Sequence, residues 1–257
     1  MVDKTDSGLP RAVAIAWGTH VQPQSGPRRG LTHEKIVARA IEIADEHGLS
    51  AVTMQRLAES LGFTTMSLYR YVANKDELFL LMIGSESLLP ERRPVAHEDW
   101  RVGLRAWADT LRQMYRAHPW ILEITRGPTS VLLPASVVIV DEGLAAVRSL
   151  PLTDQDKISL ILAVSSYISA FATLERDLAG QEELEFGPEA MAELGEVITA
   201  ERLPFAGPLF LSGGYVGGPL DEESAGIESE YDFGLDLLIR GLAARFDAGD
   251  QSSTTSS

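Results

Sequence analysis

Apolar residues recur at intervals of three and four along most of this chain, which is the spacing of one face of an α-helix. Two short runs of this kind lie on either side of Gly62, with Leu57 and Leu61 before the glycine and Phe63 and Leu68 after it. Glycine adopts the backbone conformation of a tight turn at little cost. The pattern therefore predicts two short helices that share a small core and meet at a sharp turn.

The second of these helices carries its polar groups on the side away from the shared core. These groups are hydroxyls, phenols and a guanidinium, at Thr64, Thr65, Ser67, Tyr69, Arg70 and Tyr71. Such groups hydrogen-bond to phosphate oxygens and to the base edges in a DNA groove. The segment is typical of a helix-turn-helix motif whose second helix reads DNA.

The helical periodicity continues through the rest of the chain, and no segment of the sequence sustains the alternation of a β-strand. Further helices, bordered by prolines and glycines, are predicted at 32–47, 75–87, 98–117, 119–126, 133–149, 154–179, 187–201 and 231–246. The fold class is therefore all-α, with a Gly/Pro-rich loop expected at 203–229.

Four regions follow from this organisation. We expect a flexible N-terminal arm at 1–30, a helix-turn-helix DNA-binding domain at 31–78, a larger helical domain at 79–247 and a disordered tail at 248–257. The arm is rich in proline, glycine and polar residues, and the tail ends in SSTTSS. Such segments bury too little apolar surface to offset the entropy of ordering.

The charge of the chain is unevenly distributed. The net charge is −15, which is unusual for a protein that binds a polyanion. Residues 1–80 hold equal numbers of basic and acidic side chains, so the whole excess of acid lies beyond residue 80. We therefore expect the acidic part to be held away from the duplex, with only the reading helices in contact.

Several classes of protein are not indicated by the composition. The chain has no cysteine, so it offers no disulfide framework or cysteine nucleophile, and the cytoplasm is the expected compartment. Its five histidines lack paired ligand spacing, and no nucleophile elbow or phosphate loop occurs. Metal, cofactor and enzymatic activity are therefore not expected. The apolar segment 158–174 carries several serines, which favours an interface helix over a membrane span.

The segment 31–78 resembles the DNA-binding domain of the TetR/AcrR family of bacterial transcriptional regulators. The matching features are Gly48 at the end of the first helix, the pairs Leu57-Ala58, Leu61-Gly62 and Leu68-Tyr69, and Asn74-Lys75 at the start of the next helix. The motif covers about a fifth of the chain. Beyond it, the resemblance implies a helical, tetracycline-repressor-like C-terminal domain that binds a ligand and dimerises.

The resemblance also implies roles for residues of the DNA-binding domain. Base-edge and groove contacts fall to Gln55, Thr64, Thr65, Met66 and Ser67, and phosphate contacts fall to Thr53, Tyr69, Arg70, Tyr71 and Lys75. Met66 could instead pack into the domain, and Tyr71 could be partly core. Arg28 and Arg29, just before the first helix, could enter a minor groove or could be ordinary surface residues.

For the larger domain, the resemblance implies an effector pocket and a homodimer interface. The pocket candidates are Trp107, Leu111, Met114, Tyr115, His118, Trp120, Tyr167 and Phe171. An aromatic row at helical spacing is more often a plain core. The interface candidates are Ser165, Ser166, Ser169, Ala170, Phe233, Leu237 and Leu238. The alternative is that the two helices carrying them complete a monomeric core.

Together these features predict a ligand-responsive regulator, a repressor that binds a palindromic DNA operator as a homodimer. A small hydrophobic or aromatic effector is expected to release it. An activator or a partner-dependent DNA binder would carry the same helix-turn-helix. A more distant alternative is an enzyme or carrier that uses the helical domain as a pocket.

Overall fold

The computed structural model describes residues 8–20, 30–90, 97–179, 188–212 and 227–253, and these contain helices and no β-strand. The α-helices are α1 (Arg11–Ala16), α2 (His33–His47), α3 (Met54–Leu61), α4 (Thr65–Leu68), α5 (Lys75–Ile83), α6 (Trp100–Ala117), α7 (Pro134–Ala146), α8 (Asp154–Ala179), α9 (Pro188–Val197), α10 (Ala206–Leu211) and α11 (Ile227–Ser253). Short 3-10 turns lie at Leu49–Ala51, Glu86–Leu88, Pro119–Glu123 and Ser130–Leu132. The prediction of an all-α fold is confirmed.

The chain divides into two compact units, Met1–Thr173 and Leu174–Ser257. The first unit joins the predicted DNA-binding domain to α6, α7 and most of α8. Its packing is continuous past residue 78 because the end of α5 is bonded to the start of α7, where the Ala135 amide donates to the Gly84 carbonyl at 3.2 Å. The predicted domain boundary therefore does not coincide with a break in packing.

Four helices of the first unit, α2 to α5, begin where a hydroxyl or amide side chain caps them. Thr32, Thr53, Thr64 and Asn74 each accept a hydrogen bond from a backbone amide in the first turn of the helix that follows. This satisfies amide donors that the helix itself leaves without a partner. The apolar faces then meet in a core that fully buries Ile36, Ala40, Leu57, Leu68, Leu78 and Met82.

The expectation of a flexible arm at 1–30 does not hold for residues 11–16, which form α1 and pack against α5. The physical reason is the apolar run Ala12–Ile15, all four residues of which are buried. The sequence analysis did not predict this helix because the proline and glycines on either side give the segment a loop-like composition. Residues 1–7 and 21–29 lie outside the described part of the chain.

Helices α6 and α7 pack closely around Trp107. A Cβ added at Gly143 of α7 would lie 2.9 Å from the Trp107 ring and 2.9 Å from Ile161 of α8. The glycine therefore permits a contact that a larger residue would obstruct.

Two predicted helices differ from the structure. The helix predicted at 119–126 is the 3-10 turn Pro119–Glu123. The helix predicted at 75–87 ends at Ile83 and is followed by the 3-10 turn Glu86–Leu88.

The second unit contains the end of α8, then α9, α10 and α11. Helix α10 lies inside the predicted loop at 203–229, where a Cβ on Gly207 would come within 2.8 Å of the Thr199 carbonyl; residues 213–226 are outside the described ranges. Helix α11 continues to Ser253, so the predicted tail is helical over 248–253. Alanines at 243, 244 and 248 favour this continuation because alanine has the highest helix propensity.

Candidate DNA-binding site

The turn between α3 and α4 is built as the sequence predicts. Gly62 closes α3 in the left-handed conformation, with φ 74° and ψ 28°. The Phe63 amide then donates to the Ala58 carbonyl at 2.9 Å. Thr64 follows in an extended conformation and caps α4, its Oγ1 accepting from the Ser67 amide at 3.3 Å. This connection sets α4 as a second helix directly after α3.

Helix α4 buries one side and exposes the other. Leu68 is fully buried, whereas Met66 is 73% exposed and Tyr69 49% exposed. Thr64 and Arg70 are also exposed, and Thr65 and Ser67 are half-buried. The exposure of Met66 excludes the alternative that it packs into the domain. Its contact with a DNA base stays a prediction, and we call α4 the reading helix.

Tyr71, three residues after the end of the reading helix, belongs partly to the core. Its half-buried ring meets His33 edge-on at 5.5 Å between ring centroids. Its carbonyl accepts hydrogen bonds from Arg11 Nη2 at 3.0 Å and from His33 Nε2 at 2.9 Å. Burial lowers the pKa of His33, so the ring is neutral at neutral pH. Because a carbonyl can only accept, the ring proton lies on Nε2. The alternative of a half-core Tyr71 thus matches the structure.

The junction between the reading helix and α5 is organised by Glu77. This carboxylate is buried, accepts the Ala73 amide at 2.6 Å and is bonded to Arg11 Nη1. Asn74 caps α5 through the Glu77 amide at 2.8 Å. The Lys75 ammonium lies 5.0 Å from the centroid of the Phe79 ring, beside the positive N-terminus of α5. The sequence motif included Lys75 but gave no sign of Arg11 or Glu77.

The remaining candidates on α3 lie at its exposed start. The Thr53 hydroxyl accepts from the Arg56 amide at 3.1 Å, which leaves its own proton to donate. Gln55 Nε2 donates to Glu59 Oε1 at 2.9 Å. Arg56, which the sequence analysis did not select, adds an exposed cation to this surface. Arg28 and Arg29 lie outside the described residues.

Among the predicted effector contacts, Trp107, His118 and Trp120 bond their polar atoms to the backbone or to Asp45 inside the first unit. Trp107 Nε1 donates to the Ile139 carbonyl at 2.9 Å. One oxygen of Asp45, on α2, accepts from Trp120 Nε1 at 2.6 Å and from His118 Nδ1 at 2.7 Å. These side chains tie α2 and α7 to α6 and its following turn, so the plain-core alternative describes them well. Leu111 and Met114 are also buried.

Aromatic and guanidinium groups gather between α6, α8 and the loop after residue 123. The Tyr115 hydroxyl accepts from Arg126 Nη2 at 2.9 Å. The rings of Tyr167 and Phe171 lie 5.9 Å apart, and the buried Arg112 places its guanidinium carbon 5.7 Å from the Phe171 centroid. We name Arg112, Tyr115, Arg126, Tyr167 and Phe171 the aromatic cluster. The sequence analysis missed Arg112 because a single arginine on a predicted helix carries no distinguishing signal.

Helices α8 and α11 expose apolar positions. On α8 the exposed residues recur every fourth position, at Ile158, Leu162, Ser166, Ala170, Leu174 and Leu178. On α11, Phe233 is 68% exposed and Leu237 55% exposed, while Leu238 is half-buried. Ser165 and Ser169 flank the α8 stripe and are half-buried. Small residues at the centre of such a stripe allow two helices to approach closely.

Two further properties concern ligands and membranes. In the described ranges, no group of three His, Asp or Glu side chains is placed to hold a metal ion. One described helix, α8, is long and apolar enough to cross a membrane by length and composition, and 22% of its most apolar window is buried. The exposed apolar stripe of α8 accounts for this result equally well as a helix-pairing surface.

Comparison with known families assigns both parts of the chain. Residues 36–82 match the model described as "Bacterial regulatory proteins, tetR family". Residues 93–246 match the model described as "Tetracyclin repressor-like, C-terminal domain". The first match contains the candidate reading helix. The second contains the residues of the aromatic cluster.

Two similar proteins are transcriptional regulators. "HTH-type transcriptional repressor DrrR1" of Streptomyces coeruleorubidus is 31% identical over 243 residues, which cover 91% of this chain and 85% of that protein. An "HTH-type transcriptional regulator" of Saccharopolyspora erythraea is 28% identical over 247 residues, with 93% and 94% covered.

Solved structures show the same fold. The TetR family protein ActR of Streptomyces coelicolor, in complex with actinorhodin, is 28% identical with a TM-score of 0.61, covering 84% of this chain and 98% of that one. BioQ of Mycobacterium smegmatis is 26% identical with a TM-score of 0.54, covering 83% and 99%.

Proposed function

The chain belongs to the TetR family of bacterial regulatory proteins, and we propose that it represses transcription by holding an operator until a small molecule releases it. It is a ligand-responsive transcriptional repressor that binds double-stranded DNA as a homodimer. The observation that carries the proposal is the reading helix, which a left-handed glycine turn and a threonine cap hold with Met66 and Tyr69 outward.

The reading helix and its surroundings divide the DNA contacts by chemistry. Thr64, Thr65, Met66 and Ser67 reach base edges, with the Met66 methyl suited to a thymine methyl; Gln55 adds a contact from α3. Thr53, Tyr69, Arg70 and Lys75 bind phosphate oxygens. Tyr71 contributes less directly, because its ring lies against His33 and its carbonyl holds two donors. Base contacts set the sequence preferred, and phosphate contacts set the affinity for any sequence.

Homodimerisation uses the exposed faces of α8 and α11. The stripe from Ile158 to Leu178 pairs with the partner protomer through Ser166 and Ala170 at its centre. On α11, the exposed side chains of Phe233 and Leu237 pack against the partner protomer. A two-fold interface is self-complementary. It holds two reading helices at the separation of adjacent major grooves, roughly 34 Å.

The effector is a hydrophobic or aromatic molecule that binds at the aromatic cluster. Tyr115, Tyr167 and Phe171 offer ring faces, and the guanidinium groups of Arg112 and Arg126 lie beside them. ActR, a similar protein, is described in complex with actinorhodin and with (S)-DNPA. Its example supports a small-molecule ligand for this chain.

Release follows if effector binding moves α7 and hence α5. The two helices are joined by the Ala135 to Gly84 hydrogen bond of 3.2 Å, and a Cβ on Gly84 would lie 3.1 Å from Leu133. A displacement of 133–135 is therefore passed to α5, which follows the reading helix directly. The separation of the two reading helices changes and the operator is released.

The proposal is for a binding protein and not an enzyme, since the similar proteins named above are transcriptional regulators. An activator with the same DNA-binding domain is the second candidate. Repression is favoured because the 31% identical relative, DrrR1, is a transcriptional repressor. Bacterial operators lie in the cytoplasm, and we propose that the protein acts there. The DNA-binding domain is assigned to 31–78 and the ligand-binding and dimerisation domain to 79–247.

Selection from a random duplex library tests the proposal. The purified full chain is mixed with the library at moderate salt, and bound duplexes are recovered and sequenced. Enrichment of an inverted repeat supports dimeric operator binding, and displacement of that repeat by planar aromatic compounds supports the proposed effector class. Enrichment of nothing above the starting library, at a salt concentration that permits phosphate contacts, would overturn it.

A further inference from the structure

Helix α1 lies upstream of the segment that matches the family's DNA-binding domain, which begins at residue 36. It is nevertheless part of the folded first unit. Ala12, Val13, Ala14 and Ile15 are between 2% and 9% exposed, and α1 packs on α5. A six-residue helix does not persist alone in water, so its packing and its two polar ends hold it in place.

One end of α1 holds the junction after the reading helix. Arg11 Nη2 donates to the Tyr71 carbonyl at 3.0 Å, and Nη1 is bonded to Glu77 Oε2. The same carboxylate oxygen accepts the Ala73 amide at 2.6 Å. The Arg11 and Glu77 side chains are only 18% and 9% exposed. Charge-assisted hydrogen bonds that are shielded from water in this way are among the stronger ones in proteins.

The other end of α1 holds the turn before α7. Trp17 Nε1 donates to the Leu132 carbonyl at 2.7 Å. The chain reverses just after Trp17, where the Thr19 and His20 amides both donate to the Ala14 carbonyl. Leu133 follows Leu132 directly and starts the segment that is bonded to Gly84. The two ends of α1 thus connect the reading-helix junction with the same turn that contacts α5.

We propose that α1 is a strap that positions the reading helix from outside the family's DNA-binding segment, with Arg11 as the positioning residue and Trp17 as the anchor. A shift of the Ser130–Leu132 turn moves Trp17 and, through α1, the Tyr71 carbonyl. The strap gives the larger domain a second connection to the reading helix, in parallel with α5. The inference rests on the proposed function for its DNA readout, whereas the strap itself is measurable in the free protein.

Hydrogen exchange of the free full-length protein is the first test. Arg11→Ala is expected to raise amide exchange at 71–77 about tenfold, from the loss of charge-assisted hydrogen bonds, and Arg11→Lys to restore part of the protection. Arg39→Ala is the matched control, because Arg39 makes an exposed i,i+3 pair with Glu42 on α2. Equal exchange at 71–77 in the Arg11→Ala and Arg39→Ala variants would overturn the proposal, and neither result requires DNA.

Operator affinity is the second test, made with the duplex selected by the wild-type protein. Trp17→Phe keeps an aromatic ring and removes the indole N–H that donates to Leu132, so it is the milder variant if Arg11→Ala unfolds. Because a strap acts as one unit, the double variant should lose no more affinity than Arg11→Ala alone, roughly tenfold. Losses that multiply, or no loss in Trp17→Phe, would show two separate local contacts and contradict the strap. If the wild-type protein selects no duplex, the proposed function fails while the exchange result still decides the strap.

Discussion

The reading helix and α6 both carry rows of side chains with an apolar body and a polar tip, yet they use those tips differently. At the end of the reading helix, Tyr69 points outward and is 49% exposed. On and after α6, Trp107 and Trp120 are 1% and 2% exposed, and their donors are held by Ile139 and Asp45. The residue type alone therefore does not indicate binding; what distinguishes the two regions is where the polar atom finds its partner.

The largest expected effect is on stability, which should depend on the buried aromatic residues of α6 more than on the exposed ones near the reading helix. Trp107→Ala should lower the free energy of unfolding by about 3–5 kcal/mol, because it leaves a cavity beside Gly143 and removes the hydrogen bond to the Ile139 carbonyl. Tyr69→Ala, the matched exposed aromatic, should lower it by less than about 0.5 kcal/mol. Chemical denaturation measures both. Similar losses in the two variants would erase the contrast between core and reading surface.

Affinity for DNA should show the opposite contrast. Tyr69→Ala and Lys75→Ala should each weaken binding about tenfold on all duplexes alike, because phosphate contacts do not discriminate sequence. Lys75→Ala should also reduce the slope of log affinity against log salt by about one. Fluorescence anisotropy on the selected duplex and on a scrambled one measures this. Full affinity in either variant would refute its phosphate role.

Removing one polar tip from the α6 region should affect the fold more than binding. Trp120→Phe keeps an aromatic ring but removes the indole N–H that donates to Asp45 and part of the buried side chain, and should cost roughly 2–3 kcal/mol of unfolding free energy. Operator affinity at temperatures well below the melting transition should change little. Thermal unfolding and anisotropy together check this, and a loss of effector response without a loss of stability would instead place Trp120 in the pocket.

A smaller effect should separate sequence preference from affinity within the reading helix. Met66→Ala should reduce the preference for one base pair in each half-site by roughly 1 kcal/mol, while scrambled DNA binds as before. Repeating the selection with the variant reveals the change directly. An unchanged selected sequence would mean that Met66, although exposed, does not meet a base.

The smallest effect concerns pH and the packing behind the reading helix. Burial lowers the pKa of His33 from its ordinary value of 6.5 in the folded protein. The unfolded chain therefore binds this proton more readily, so the stability contribution is present above pH 6.5 and is lost as pH falls through the folded pKa. Unfolding free energies between about pH 7 and pH 5 should fall less steeply in His33→Gln than in the wild type. Equal slopes would show that the titration of His33 does not contribute to the pH dependence of stability.

The sequence predicted the DNA-binding domain better than the rest of the fold, for identifiable physical reasons. Thr53, Gly62, Thr64 and Asn74 act through local backbone geometry, so their positions could be read from short motifs. The partners of Asp45 and Arg11 lie 60 or more residues away in sequence. No local pattern reports such contacts, which is why the core role of Trp120 and the strap at α1 emerged only from the structure.

The central claim is that two reading helices, fixed by a dimer, bind one operator together. The most direct measurement inserts five base pairs at the centre of the selected repeat, which rotates one half-site by about half a turn of the duplex. The control replaces the central base pairs without changing their number. The account predicts that the insertion weakens binding at least about a hundredfold while the control binds normally. Equal affinity for both duplexes would show that one reading helix binds on its own, and would contradict the claim.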